Sequence, residues 1–73
     1  MPRLTPLPWR KLVSVFEKIG YRYAGTKGSH VKLEKPGCAR PLIIPRYDEV
    51  GLDIIKNLIR TAGIERKAFL DLL

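Results

Sequence analysis

Gly25-Thr26-Lys27-Gly28-Ser29-His30-Val31-Lys32-Leu33-Glu34-Lys35 decides how this chain folds and where it acts. From Ser29 to Lys35 apolar and polar residues alternate, the period of a half-buried strand. Val31 and Leu33 are its only apolar members, so they face the core and leave His30, Lys32 and Glu34 on the opposite face. Gly25 to Gly28 predicts the turn before this strand. Tyr21-Arg22-Tyr23-Ala24 predicts the strand on the other side of the turn, with both tyrosines on one face. Downstream, Pro36-Gly37 signals a second turn, and Arg40 to Pro45, with Leu42, Ile43 and Ile44, predicts a third strand. Pro45 ends it, because proline has no N–H for a ladder.

Helical periodicity flanks these strands on both sides. Trp9, Leu12, Val13, Phe16 and Ile19 lie on one helical face, Pro8 suits the first turn, and Gly20 suits a left-handed stop. Leu52, Ile55, Leu58, Ile59 and Ala62 form a second stripe closed by Gly63. Asp48 and Glu49 precede it, where negative charge favours a helix N-terminus. Residues 65–72 predict a last short helix with Ala68, Phe69 and Leu72 inward. The expected fold is α+β, one domain over residues 1–73 with residues 1–7 as a proline-containing lead-in. It has a three-stranded antiparallel meander covered by helices on one face. The other face meets solvent or a ligand. No internal repeat or low-complexity segment interrupts this order.

A chain of 73 residues buries a small core, so a shallow surface site is expected and a deep cavity is not. The 45% hydrophobic content is that of a folded protein. The net charge is +7, and it is uneven. Residues 18–46 carry Lys18, Arg22, Lys27, Lys32, Lys35, Arg40 and Arg46 against Glu34 alone, a net of +6. Such clustering predicts a polyanionic partner: nucleic acid, an anionic membrane or an acidic protein. The single cysteine, Cys38, rules out an intramolecular disulfide and fits a reducing cytosol. The N-terminus has Pro2, Pro6 and Pro8 in place of a long apolar run, and no stretch approaches the ~20 apolar residues of a membrane span. A cytoplasmic protein with no membrane partner is expected.

The only histidine stands within the basic segment. Imidazole is the side chain whose ordinary pKa lets it take and give protons near neutral pH. Glycine lets backbone amides approach a ligand, and lysine supplies a point charge for phosphate. Ser29 and His30, read as adjacent strand residues, point to opposite faces and do not pair as nucleophile and base. One histidine and one cysteine separated by a turn do not make a metal site, so no metal is expected. Gly25 and Gly28 do not open a helix, so no phosphate-loop or dinucleotide fingerprint is present and no cofactor is expected. Cleavage of RNA without a metal remains. RNA carries its own nucleophile, the 2′-OH, beside the scissile phosphate. The protein need only move protons and stabilise charge.

The helix ending in Ile19-Gly20-Tyr21, Lys27-Gly28-Ser29-His30 opening a strand, Ile44-Pro45-Arg46 ending another, and Ile55-Lys56-Asn57-Leu58-Ile59-Arg60-Thr61-Ala62-Gly63-Ile64 occur in that order. In this pattern the chain resembles, over nearly its whole length, the HicA toxins of toxin–antitoxin systems. The resemblance implies a double-stranded-RNA-binding-like fold, ribosome-independent cleavage of mRNA, neutralisation by a HicB antitoxin, and a catalytic role for His30. Where the family often has a second histidine after the proline that ends the third strand, this chain has Tyr47. The residues expected to hold RNA are Lys27, Gly28, Ser29, Lys32, Arg22 and Arg46. The rival readings are a non-catalytic basic module that binds RNA or DNA, and an interaction domain for an acidic protein. Trp9 is expected in the core. Tyr21 and Tyr23 suit either the core or base stacking. Cys38 is expected to have no role, and Lys35 and Arg40 suit solvent or phosphate equally.

Overall fold

The computed structural model describes residues 4–37 and 40–73, so the reading of Cys38 lies outside the described residues. The elements run α1 (Trp9–Glu17), β1 (Arg22–Lys27), β2 (His30–Glu34), β3 (Leu42–Pro45), α2 (Leu52–Ala62) and α3 (Arg66–Asp71). The strands form one antiparallel meander in the order β1-β2-β3. This is the expected α+β layout.

The apolar stripes build the core as their periods require. Leu12, Val15 and Phe16 of α1 meet Ile55, Leu58 and Ile59 of α2 over Val31, Leu33, Leu42 and Ile44 of the sheet. Phe69 of α3 completes it, its ring 5.7 Å from that of Phe16. Ala68, expected to point inward, is exposed, because a helix this short presents one turn to the core and Phe69 occupies it. Gly63 ends α2 with φ 71°, the left-handed conformation that glycine adopts without steric cost. Pro8 stands one position before the helix as its N-cap, and its carbonyl accepts the N–H of Lys11 and of Leu12.

Three local readings change. First, β1 runs through Lys27, and only Gly28 and Ser29 form the turn. Gly28 has φ 59°, and no described non-glycine residue has a positive φ, which matches a type II′ hairpin with glycine first. Ser29 thus sits in the turn and not on the strand. Second, the pairing shifts between Tyr23 and Gly25, leaving Ala24 as the extra residue of a β-bulge. The two tyrosines part ahead of the bulge, because Tyr21 precedes β1 and Tyr23 lies on this outer strand. Tyr21 is buried, edge-on to Phe16, whereas Tyr23 is 59% exposed and hydrogen-bonds through its hydroxyl to Thr26. Third, the lead-in from Leu4 onward is tied into the fold. Leu4 is buried, and Leu7 exchanges both backbone hydrogen bonds with Val50, just ahead of α2.

Candidate active site on the open sheet face

Helices cover one face of the sheet, and β2 presents His30, Lys32 and Glu34 on the other, with burial alternating along the strand as predicted. The hairpin turn delivers His30 to the start of the strand. Its cross-strand partners are Lys27 on β1 and Pro45 on β3. The turn is anchored from a third direction: the Arg46 N–H donates to the Ser29 carbonyl at 2.7 Å. The backbone around the imidazole is therefore held by two ladders and one cross-loop bond. Among the described residues the imidazole itself has no hydrogen-bond or ion-pair partner, so both ring nitrogens remain available to a ligand.

A shallow cleft of ≈ 670 Å³ lies over this region, lined among others by Lys27, Gly28, Ser29, His30, Lys32 and Ile43. Five of the seven residues singled out from the sequence thus converge. Lys32 is within 3.5 Å of the Glu34 carboxylate, but both side chains are about half exposed. Such pairs contribute little, so an anionic ligand can draw Lys32 away.

The other two residues stand apart. Arg22 pairs with Glu34, at the far end of the hairpin from the Lys27–His30 pair. Four residues of strand separate them, about 13 Å. Arg46 is joined to the site by its backbone, while its guanidinium lies 5.2 Å from the ring centre of Trp9. Arg10 approaches the same ring at 5.2 Å. Trp9 is therefore half core and half platform for two cations, an arrangement that the α1 stripe alone does not reveal. The basic segment is likewise less concentrated in space than in sequence. The Lys18 ammonium donates to the Leu72 carbonyl at 2.9 Å, and the Lys35 ammonium lies 5.7 Å from the Tyr21 ring centre. Tyr47, two residues beyond Pro45, is half exposed, and its carbonyl accepts the Trp9 N–H.

Among the described residues no three His, Cys, Asp or Glu side chains come together as a metal site, and no helix is long and apolar enough to cross a membrane. What the cleft offers is one imidazole, two lysines and a glycine-containing turn on an exposed surface.

Comparison with known proteins adds one finding. Residues 9–64 match the protein family described as the HicA toxin of bacterial toxin-antitoxin systems. Neither the comparison with curated proteins nor that with solved structures returned a match. The matched span runs from the first residue of α1 to the residue after Gly63, so it contains the whole sheet, the cleft and both long helices. The chain therefore belongs to the HicA family, the toxins of bacterial toxin–antitoxin systems.

Proposed function

We propose that this toxin is an endoribonuclease that cuts mRNA without a metal, with His30 as the group that moves a proton. The observation that carries the reading is the placement of the chain's single imidazole on the open sheet face, unpartnered and two strand residues from Lys32 on the same side. In the reaction the 2′ oxygen attacks the adjacent phosphorus. The new bond is O2′–P and the broken bond is P–O5′. The 2′-OH proton must leave and the departing 5′ oxygen must gain one. His30 performs one of these transfers, and Tyr47, a lysine or water performs the other. Lys27, Lys32 and the backbone amides of Gly28 and Ser29 oppose the charge that builds on the phosphoryl oxygens. Arg22 and Arg46, further out, hold the flanking backbone. The products are a 2′,3′-cyclic phosphate and a 5′-hydroxyl. A HicB-like antitoxin is the proposed neutralising partner, since a shallow site is shut off by covering it.

The test is incubation of purified protein with RNA in excess chelator, beside an RNA carrying a single 2′-deoxy substitution at the cut site. Cleavage persists in chelator and stops at the substituted position. Loss of cleavage in chelator, or cutting at the deoxy position, would overturn the route.

Binding also carries an expected salt signature. For single strands the slope of log K against log salt is about −0.7 per phosphate neutralised. Four phosphates engaged by this face give a slope of roughly −3. Replacing Lys27 and Lys32 together with alanine flattens it by about 1.4. A titration of labelled RNA across salt concentrations measures both. A slope near zero for the wild type would mean that the cations do not engage the backbone.

A further inference from the structure

The open face is organised in rows that cross the three strands. One row is Lys27, His30 and Pro45; the next is Gly25, Lys32 and Ile43. Rows two residues apart are separated by about 7 Å along the strands. The first row holds the imidazole. The second places a cation between a residue with no side chain and an aliphatic one.

Both flanking residues of that second row depart from what an open face needs. Its neighbours Leu42 and Ile44 are fully buried, but Ile43 points the other way and is 45% exposed, at a position where a solvent-facing sheet ordinarily carries a polar residue. Gly25 has φ 132°, a conformation that other residues rarely adopt, and it follows directly on the bulge at Ala24. A Cβ placed on Gly25 would meet nothing within 4 Å, so the space above it is open. Gly25 and Ile43 both line the cleft that contains His30 and Lys32. The bulge thus clears one side of Lys32, and Ile43 supplies an apolar surface on its other side.

We infer that Gly25 and Ile43 form the seat of one unpaired nucleobase beside the phosphate held at His30 and Lys32, so that the RNA must be single-stranded at the cut. This inference rests on the reading of the site as an RNA-cleaving one. A nucleotide joins an anionic phosphate to a flat base with apolar faces, and the second row offers a cation and an apolar surface side by side. In a duplex the base faces are stacked on their neighbours and the deep groove excludes side chains. Only an unstacked base can lay its face on Ile43. An aliphatic side chain has no donor or acceptor, so this seat accepts any of the four bases.

A cycle of binding measurements tests the seat. The cut is first mapped on unmodified RNA. Affinities are then measured for 2′-O-methyl oligonucleotides, which lack the nucleophile, with either an intact or an abasic nucleotide at each position flanking the cut. Threonine is β-branched and keeps the strand character of β3, so Ile43→Thr is the variant of choice. Ile43→Thr binds the intact oligonucleotide about 5-fold more weakly. Wild type loses a similar factor on one of the abasic oligonucleotides, and the variant loses nothing further on it. Duplex RNA spanning the cut is not cleaved. Unchanged affinity of Ile43→Thr, losses that multiply, or duplex cleavage at the single-strand rate would each refute the seat. The abasic comparison on wild type stands even if the variant misfolds. RNA that is cut in a His30-dependent way while Ile43 is indifferent refutes the seat alone; RNA that is neither bound nor cut refutes the underlying activity as well.

Discussion

His30→Ala will cleave RNA about 10²–10⁴-fold more slowly than the wild type, the range that one general acid–base group contributes. That is roughly 3–5 kcal/mol of barrier. The fold will be unaffected, because the imidazole is exposed and no described interaction depends on it. Two measurements separate chemistry from binding. Single-turnover rates at saturating protein should fall by the full factor, whereas affinity for the 2′-O-methyl oligonucleotide should change little. A variant that cuts at the wild-type rate would remove His30 from the reaction. A variant that loses affinity and rate in equal proportion would make it a binding residue instead.

The second large effect concerns stability. Phe16 is fully buried, with Tyr21 edge-on at 5.9 Å and Phe69 at 5.7 Å, and so it joins α1 to the approach to β1 and to α3. Phe16→Ala should cost about 3–5 kcal/mol. A domain of this length has about 4–11 kcal/mol in total. The variant therefore loses a large share of its stability and verges on unfolding. Urea denaturation gives the measure: a much lower midpoint with an unchanged slope. Lys56→Ala, on the exposed face of α2, serves as the control and stays within about 0.5 kcal/mol. Equal midpoints for the two variants would contradict the packing described above.

Most of the architecture was legible because it depends on local periods. The stripes from Trp9 to Phe16 and from Leu52 to Ala62 are helical in spacing alone, and parity about Val31 and Leu33 was enough to place His30 and Lys32 on the open face. The misreadings share a cause: long-range pairing or a break in parity. Tyr21, just ahead of β1, packs against Phe16 while Tyr23 stands on the outer strand, and Gly25, whose spacing from Gly28 suggests a turn, belongs to a strand bulged at Ala24. The Leu7–Val50 bridge joins residues far apart in sequence, which no window along the chain can detect. The same holds for the contact of Trp9 with Arg46, which comes from the loop after β3. Of the candidate site, the residues in the turn and on β2 converged as expected, because one hairpin carries them. Arg22 and Arg46 did not, because charge clustered in sequence need not cluster in space.

The bulge in β1 has one more consequence, for how copies of the chain behave towards one another. An open three-stranded sheet leaves β1 and β3 as its outer strands, and outer strands are templates on which other chains can polymerise. Here the β1 rim is kinked by Ala24 and carries Arg22 and Lys27 at its two ends. A second copy extending the sheet there would meet a broken register and like charge. The β3 rim is four residues long and bounded by Pro41 and Pro45. Neither rim is a good template, so the irregularity that leaves room beside Lys32 also disfavours self-association by sheet extension.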